Sequence, residues 1–170
     1  MEYTRQYMKK KKIAFDLLIF DTLSDLSQND QKLLKDAITA RSDAYAPYSK
    51  FKVGAAVLLE NGEVVIGNNQ ENASYPSGLC AERVAVFQAG ARYPGVPILA
   101  IAISTLPSLK VDAIPAAPCG NCRQSIVEYE QRQQSPISLI MGSEKGPIYK
   151  CSSMGDILPL VFDGSFLNDS

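Results

Sequence analysis

The 170 residues suffice for one domain with a sizeable core and are few for two. An apolar content of 46% with 21% charged residues is that of a globular chain, and no apolar run approaches the roughly 20 residues that cross a bilayer. The 17 basic and 18 acidic side chains nearly cancel, which argues against nucleic acid as the main partner, and no histidine is present to build a nucleophile–histidine dyad or triad.

In chain order, a lysine run at 9–12 followed by apolar residues faintly imitates an export signal. Asp16 interrupts it and no small-residue cleavage site follows. A cytoplasmic chain is therefore expected, one whose four cysteines are thiols rather than disulfides. Residues 1–26 stand apart as an N-terminal extension, in which Ile13, Phe15, Leu17 and Ile19 alternate as a strand would. Ser27-Gln28-Asn29-Asp30 is a helix start, with Leu33, Ala37, Ala40 and Ala44 at helical spacing and Pro47 closing the segment. Residues 51–59 and 63–68 flank Asn61-Gly62, a strong hairpin signal. A second helix is expected over 79–92, a buried strand over 98–104 and a third helix from Pro118. Two short strands at 137–141 and 148–151 precede a short terminal helix at 153–158. This order predicts an α/β fold, a three-layer α/β/α sandwich around a mixed five-stranded sheet, with the working domain over 27–170.

The chemistry lies at the predicted starts of the second and third helices. Cys119-Gly120-Asn121-Cys122 sets two sulfurs three residues apart on one helical face. Alone, that spacing fits a metal site, a redox pair or two buried unliganded thiols. Cys80-Ala81-Glu82 opens the helix before it. Helix N-termini favour thiolates by lowering their pKa. Three thiolates hold Zn²⁺ and leave a fourth position for water, as in catalytic rather than structural sites. Cysteine-x-glutamate followed by proline-cysteine-x-x-cysteine is the signature of zinc deaminases, in which the glutamate is not a ligand. A structural module would want a fourth thiolate, and Cys151 stands alone in an apparent strand, a buried and inert thiol.

Around these motifs the chain closely resembles the cytidine deaminases of the small, tetrameric class. The match runs from Ala44 to Phe162 and covers Ala44-Tyr45-Ala46-Pro47-Tyr48-Ser49-Lys50-Phe51, Asn69-Gln70-Glu71-Asn72-Ala73-Ser74-Tyr75, Cys80-Ala81-Glu82-Arg83, Pro118-Cys119-Gly120-Asn121-Cys122-Arg123-Gln124 and Leu158-Pro159-Leu160-Val161-Phe162. The resemblance implies one Zn²⁺ per chain on Cys80, Cys119 and Cys122, with Glu82 shuttling protons in the hydrolytic deamination of cytidine within pyrimidine salvage. It implies Asn69 and Glu71 on the ribose, Phe51 against the base and Ala81 in the substrate site. Tyr75 and Phe162 are implied to come from neighbouring subunits of a homotetramer.

Each of these has a plainer alternative in the residues themselves. Phe51 on an amphipathic strand fits a core, and Asn69 with Glu71 fits a solvated pair on one strand face. Arg83 and Arg123 are either surface charges or balance the negative charge of three thiolates around Zn²⁺. Two positions depart from the family: Asn68 stands where cysteine is common, and Gln70 where the residue is usually apolar. The rivals for function are a blasticidin-type deaminase, a polynucleotide editor and a non-catalytic zinc module. The asparagine–glutamate pair speaks against the first, balanced charge against the second, and Glu82 with an open fourth position against the third.

Overall fold

Ser27 caps the first helix as expected: its side chain accepts from the Asp30 amide at 3.2 Å. The architecture comes from a computed structural model, which describes residues 9–106 and 114–167. That helix, α1 (Gln28–Arg41), stops before Ala44 because the chain is then drawn into extended pairing, with the Tyr45 amide on the Asn69 carbonyl and the Glu71 amide on the Tyr45 carbonyl. The hairpin follows as β2 (Val53–Leu59) and β3 (Val64–Asn68), with Gly62 at a φ of 85° in the turn. The order continues through α2 (Ala81–Arg92), β4 (Ile98–Thr105), α3 (Gly120–Gln133), β5 (Ser138–Gly142) and β6 (Ile148–Cys151). The expected terminal helix is a single 3-10 turn, Met154–Ile157, closed by a capping box between Ser153 and Asp156.

The sheet has six strands rather than the expected five. The additional one, β1 (Leu18–Phe20), comes from the N-terminal extension and pairs antiparallel with β6, Ile19 opposite Tyr149. Of its three residues only Phe20 is partly covered, and it is not among those whose alternation suggested a strand. Phe20 packs on the α1 side of the core together with Leu23 and Leu26, while Ile13, Phe15, Leu17 and Ile19 stay exposed. A short alternating run does not reveal which of its faces a neighbour will cover.

In the order β1-β6-β5-β4-β2-β3, only β4 and β5 are parallel neighbours. Both β3 and β4 pair antiparallel with β2, so they run in the same direction. Period-2 alternation splits the core into two layers. Ala56, Ala102 and Ile140 face α1, whereas Val57, Ile101 and Leu139 face α2 and α3. Since α2 follows β3 and α3 follows β4, both helices on that face begin at the carboxyl ends of co-directed strands. Two helix N-termini therefore arrive at one edge of the sheet, the usual place for a binding site in an α/β fold.

How closely α2 approaches is set by Gly67. A Cβ there would lie 2.6 Å from the Ala85 nitrogen and 2.7 Å from the Ala81 carbonyl oxygen. Backbone cannot rotate away as a side chain can, so any larger residue must push off the first turns of α2. Gly67→Ala is expected to cost about 1–3 kcal/mol of stability and to impair turnover by moving the helix start. Urea unfolding and a rate assay read the two effects, and an unchanged midpoint would refute the close docking.

Candidate active site

Cys80 and Cys119 each sit one residue earlier than a helical position, as the N-cap residues of α2 and α3. Both have extended backbone, at φ −71°, ψ 152° and φ −66°, ψ 166°. Pro118 thus precedes the third helix instead of opening it. Cys122 lies one turn further into α3 and is buried. The three sulfurs come within 4.8 Å of one another, and those of Cys119 and Cys122 are 3.6 Å apart. Thiolates at about 2.3 Å from a tetrahedral Zn²⁺ are separated by about 3.8 Å, so this donor set fits the ion with small adjustments. Among the described residues it is the one such cluster of three.

The electrostatics push the paired thiols of Cys80 and Cys122 in opposite directions. Cys80 is drawn down to about 5, first by the hydrogen bond it shares with Cys122 and then, against partial burial, by the Arg83 guanidinium. Cys122 is pushed up by the same shared proton and by burial. Arg83 donates from Nη2 to the Cys80 sulfur at 4.0 Å, and its buried Nε has no acceptor among the described residues. A buried donor left unpaired is costly, and negative charge beside it offsets that cost. Glu82 is 5% exposed, and burial raises its pKa. Cys151 lies outside the cluster, its thiol raised by burial.

A cavity of about 560 Å³ opens beside the sulfurs. Its lining brings Cys80, Glu82, Arg83 and Cys119 together with Phe51, Asn69, Glu71 and Tyr75. Phe51 is half exposed and faces this space, so it is not a core residue. Asn69 and Glu71 are engaged rather than loosely solvated. Asn69 accepts from the Val53 amide at 2.8 Å and donates to the Phe51 carbonyl at 3.0 Å. Glu71 accepts from the amides of Tyr48 at 2.9 Å and Ser49 at 3.2 Å and from the Ser49 hydroxyl. Ala81 is fully buried in the first turn of α2, away from the cavity lining.

Three placements differ from the expectation or refine it. Tyr75 lines the cavity of its own chain, next to Tyr48 with ring centroids 6.2 Å apart, although the resemblance implies a residue supplied by a neighbour. Phe162 lies outside that cavity, 56% exposed and stacked on Phe166. Arg83 is the guanidinium at the sulfurs, whereas Arg123 donates to the carbonyls of Pro118 and Ile157, each at 2.8 Å. The two departures from the family pattern are bonded to each other, Gln70 to Asn68, and Asn68 reaches the Ala40 carbonyl at 3.0 Å.

Against this geometry, the model of the cytidine and deoxycytidylate deaminase zinc-binding region matches residues 27–135. The chain belongs to this deaminase family. It is accordingly an enzyme, a zinc-dependent hydrolase. It is 39% identical over 139 residues to a cytidine deaminase of Halalkalibacterium halodurans, covering 82% of this chain and 98% of the relative. A cytidine deaminase of Mycobacterium tuberculosis is 44% identical over 75% of this chain and 84% of its own. The crystal structure of a cytidine deaminase from Burkholderia pseudomallei superposes with a TM-score of 0.68 at 38% identity, covering 81% of this chain and all of that one.

Sequence reasoning missed Ser49. Lys50, at a φ of 58°, turns the chain so that the Ser49 hydroxyl accepts from the Phe51 amide at 2.9 Å and reaches Glu71. A serine two residues before an ordered amide is a recognisable turn signal, but its long-range partner is a product of folding. The Ser49 hydroxyl first, then the two amides, hold the Glu71 carboxyl below its ordinary value against the opposing effect of burial. The hydrogen bonds favour the charged form, so they hold above that ordinary value and are lost as pH falls through the lowered one. Ser49→Ala is expected to raise the Glu71 pKa, read by NMR titration of its carboxyl carbon; an unmoved pKa would refute the leading part of the hydroxyl.

Proposed function

We propose that this chain hydrolyses cytidine to uridine and ammonia and accepts deoxycytidine as a second substrate. The observation that carries this reading is Glu82, a buried carboxyl two residues after Cys80 that shares with Cys80 and Cys119 the lining of a cavity carrying both aromatic and polar residues. The names of the relatives agree with it.

Cys80, Cys119 and Cys122 would hold one Zn²⁺ per chain. When bound, the ion supplies a Lewis acid that lowers the pKa of water toward neutrality. Glu82 takes the proton that water gives up as it attacks C4 of the pyrimidine. It passes that proton to N3, then takes the second from the hydroxyl now on C4 and passes it to the amine as the C4–N bond breaks, so that water and cytidine become uridine and ammonia. Phe51 packs the base, and the preset Asn69 and Glu71 receive the ribose without reorganising. Arg83 offsets the charge of the thiolates. Because the 3′-hydroxyl is common to both nucleosides, this wall admits either. Salvage of free pyrimidine nucleosides in the cytoplasm is the physiological setting that such a reaction fits. Among the described residues, no helix is long and apolar enough to cross a membrane.

The decisive measurement is ammonia release from cytidine alongside metal content. Glu82→Gln keeps the shape and removes the base, so zinc should be retained while turnover falls by roughly 10²-fold or more. Near-normal turnover in that variant would refute the assignment. Cys119→Ala should lose metal and activity together, and Cys151→Ala should change neither.

We further read the working form as a homotetramer in which Phe162 completes a neighbour's cavity, since it stands exposed outside its own. Mixing Phe162→Ala and Glu82→Gln chains should then restore part of the activity. A fully active monomer in sedimentation would end this reading.

A further inference from the structure

Arg123 was expected to balance charge, yet its hydrogen bonds go to two carbonyls from distant parts of the chain. Nε donates to the Pro118 oxygen and Nη1 to the Ile157 oxygen, both at 2.8 Å. The first of these acts on Cys119 through covalent geometry. The Pro118 carbonyl and the Cys119 amide belong to one planar peptide unit, so fixing the oxygen fixes the plane from which the Cys119 Cα departs. Cys119 is exposed and, as the N-cap of α3, keeps an extended backbone whose orientation relative to the helix is set by its two flanking peptide units. The Arg123 amide also binds the Cys119 carbonyl at 3.0 Å, so one residue holds both peptide units flanking the cysteine.

The other half of the bridge holds the end of the chain. Ile157 is the last residue of the 3-10 turn, where carbonyls lack partners within the turn. Next to it, Gln124 donates to the Phe162 carbonyl at 2.8 Å, so two consecutive residues near the start of α3 grip the C-terminal segment at two points. Ile157, Leu158 and Val161 pack against the core on the same side. A planar guanidinium with donors in a fixed fork suits such a two-carbonyl bridge, and an ammonium does not.

We propose that Arg123 is a positioning residue that locks the Cys119 turn to the C-terminal segment, so that zinc binding and the seating of residues 157–162 stabilise each other. This rests on the zinc reading above and adds a reciprocal coupling to it: whatever strengthens one seat must strengthen the other.

The test uses the zinc-loaded protein, Arg123→Gln and Arg123→Lys. Transfer of zinc to a chromophoric chelator is expected to be about tenfold faster or more in Arg123→Gln, the usual range for loss of a residue behind a metal ligand. Arg123→Lys, which keeps the charge but not the fork, should stay closer to Arg123→Gln than to the parent. Amide hydrogen exchange over 157–162 should quicken when zinc is removed from the parent, and should be fast and indifferent to zinc in Arg123→Gln. If Arg123→Gln does not fold, Arg123→Lys carries both measurements. A parent-like zinc transfer rate in the variants, or full rescue by lysine, overturns the proposal. A parent that holds no zinc overturns the zinc reading instead.

Discussion

The site depends on one topological constraint: α2 and α3 must start at the same edge of the sheet. Strands β3 and β4 run in the same direction because each pairs antiparallel with β2, and each is followed by a helix on the same face. Their N-termini then meet at the carboxyl ends of the strands. Each helix offers a cysteine at its N-cap, where unpaired backbone amides and the helix dipole favour negative charge. Three sulfurs within 4.8 Å would repel as thiolates. Helix ends on two sides and the Arg83 guanidinium lower that cost before any ion enters.

Close helix docking on both faces of the sheet explains why glycine stands at Gly67 and Gly54. Each takes a helix on its own face of the sheet: α2 approaches the backbone of β3 at Gly67, and α1 approaches β2 at Gly54, where a Cβ would lie 2.0 Å from the Ala37 oxygen. Close docking leaves the helix starts little freedom, and reacting groups misplaced by about 1 Å can lose 10²-fold in rate. The part of the cavity lining around Asn69 is preset by a different device. There Asn69 and Glu71 are tied to backbone amides, carbonyls and the Ser49 hydroxyl. Polar groups already held in place need no ordering when a ligand arrives.

Much of this was legible in the sequence. The CxE and PCxxC pairs announce a zinc deaminase because ligand spacing and helix starts are local properties, fixed within a few residues. The Asn61-Gly62 hairpin, the Ser27 cap and the buried apolar strand over 98–104 are local in the same sense. Less legible were the partners those residues find. Nothing near Ser49 names Glu71, and nothing near Arg123 names Ile157, because the sequence separations of 22 and 34 residues are closed only by the fold. The role expected for Arg123 drew on its closeness to Cys122 in sequence, whereas a helical side chain that near can still point elsewhere.

The sequence by itself determined the chemistry: which side chains could bind a metal, the absence of imidazole, and the order of helices and strands. Those follow from composition and from periodicities that each segment carries alone. Tertiary structure decided the sixth strand, since the pairing of Leu18–Phe20 with β6 depends on a free sheet edge and the register it imposes. It also placed Tyr75 on its own cavity and Phe162 outside it, and it gave the two arginines different partners. Each of these turns on which distant backbone groups lie within about 3 Å of a side chain, and only the packed chain fixes that distance.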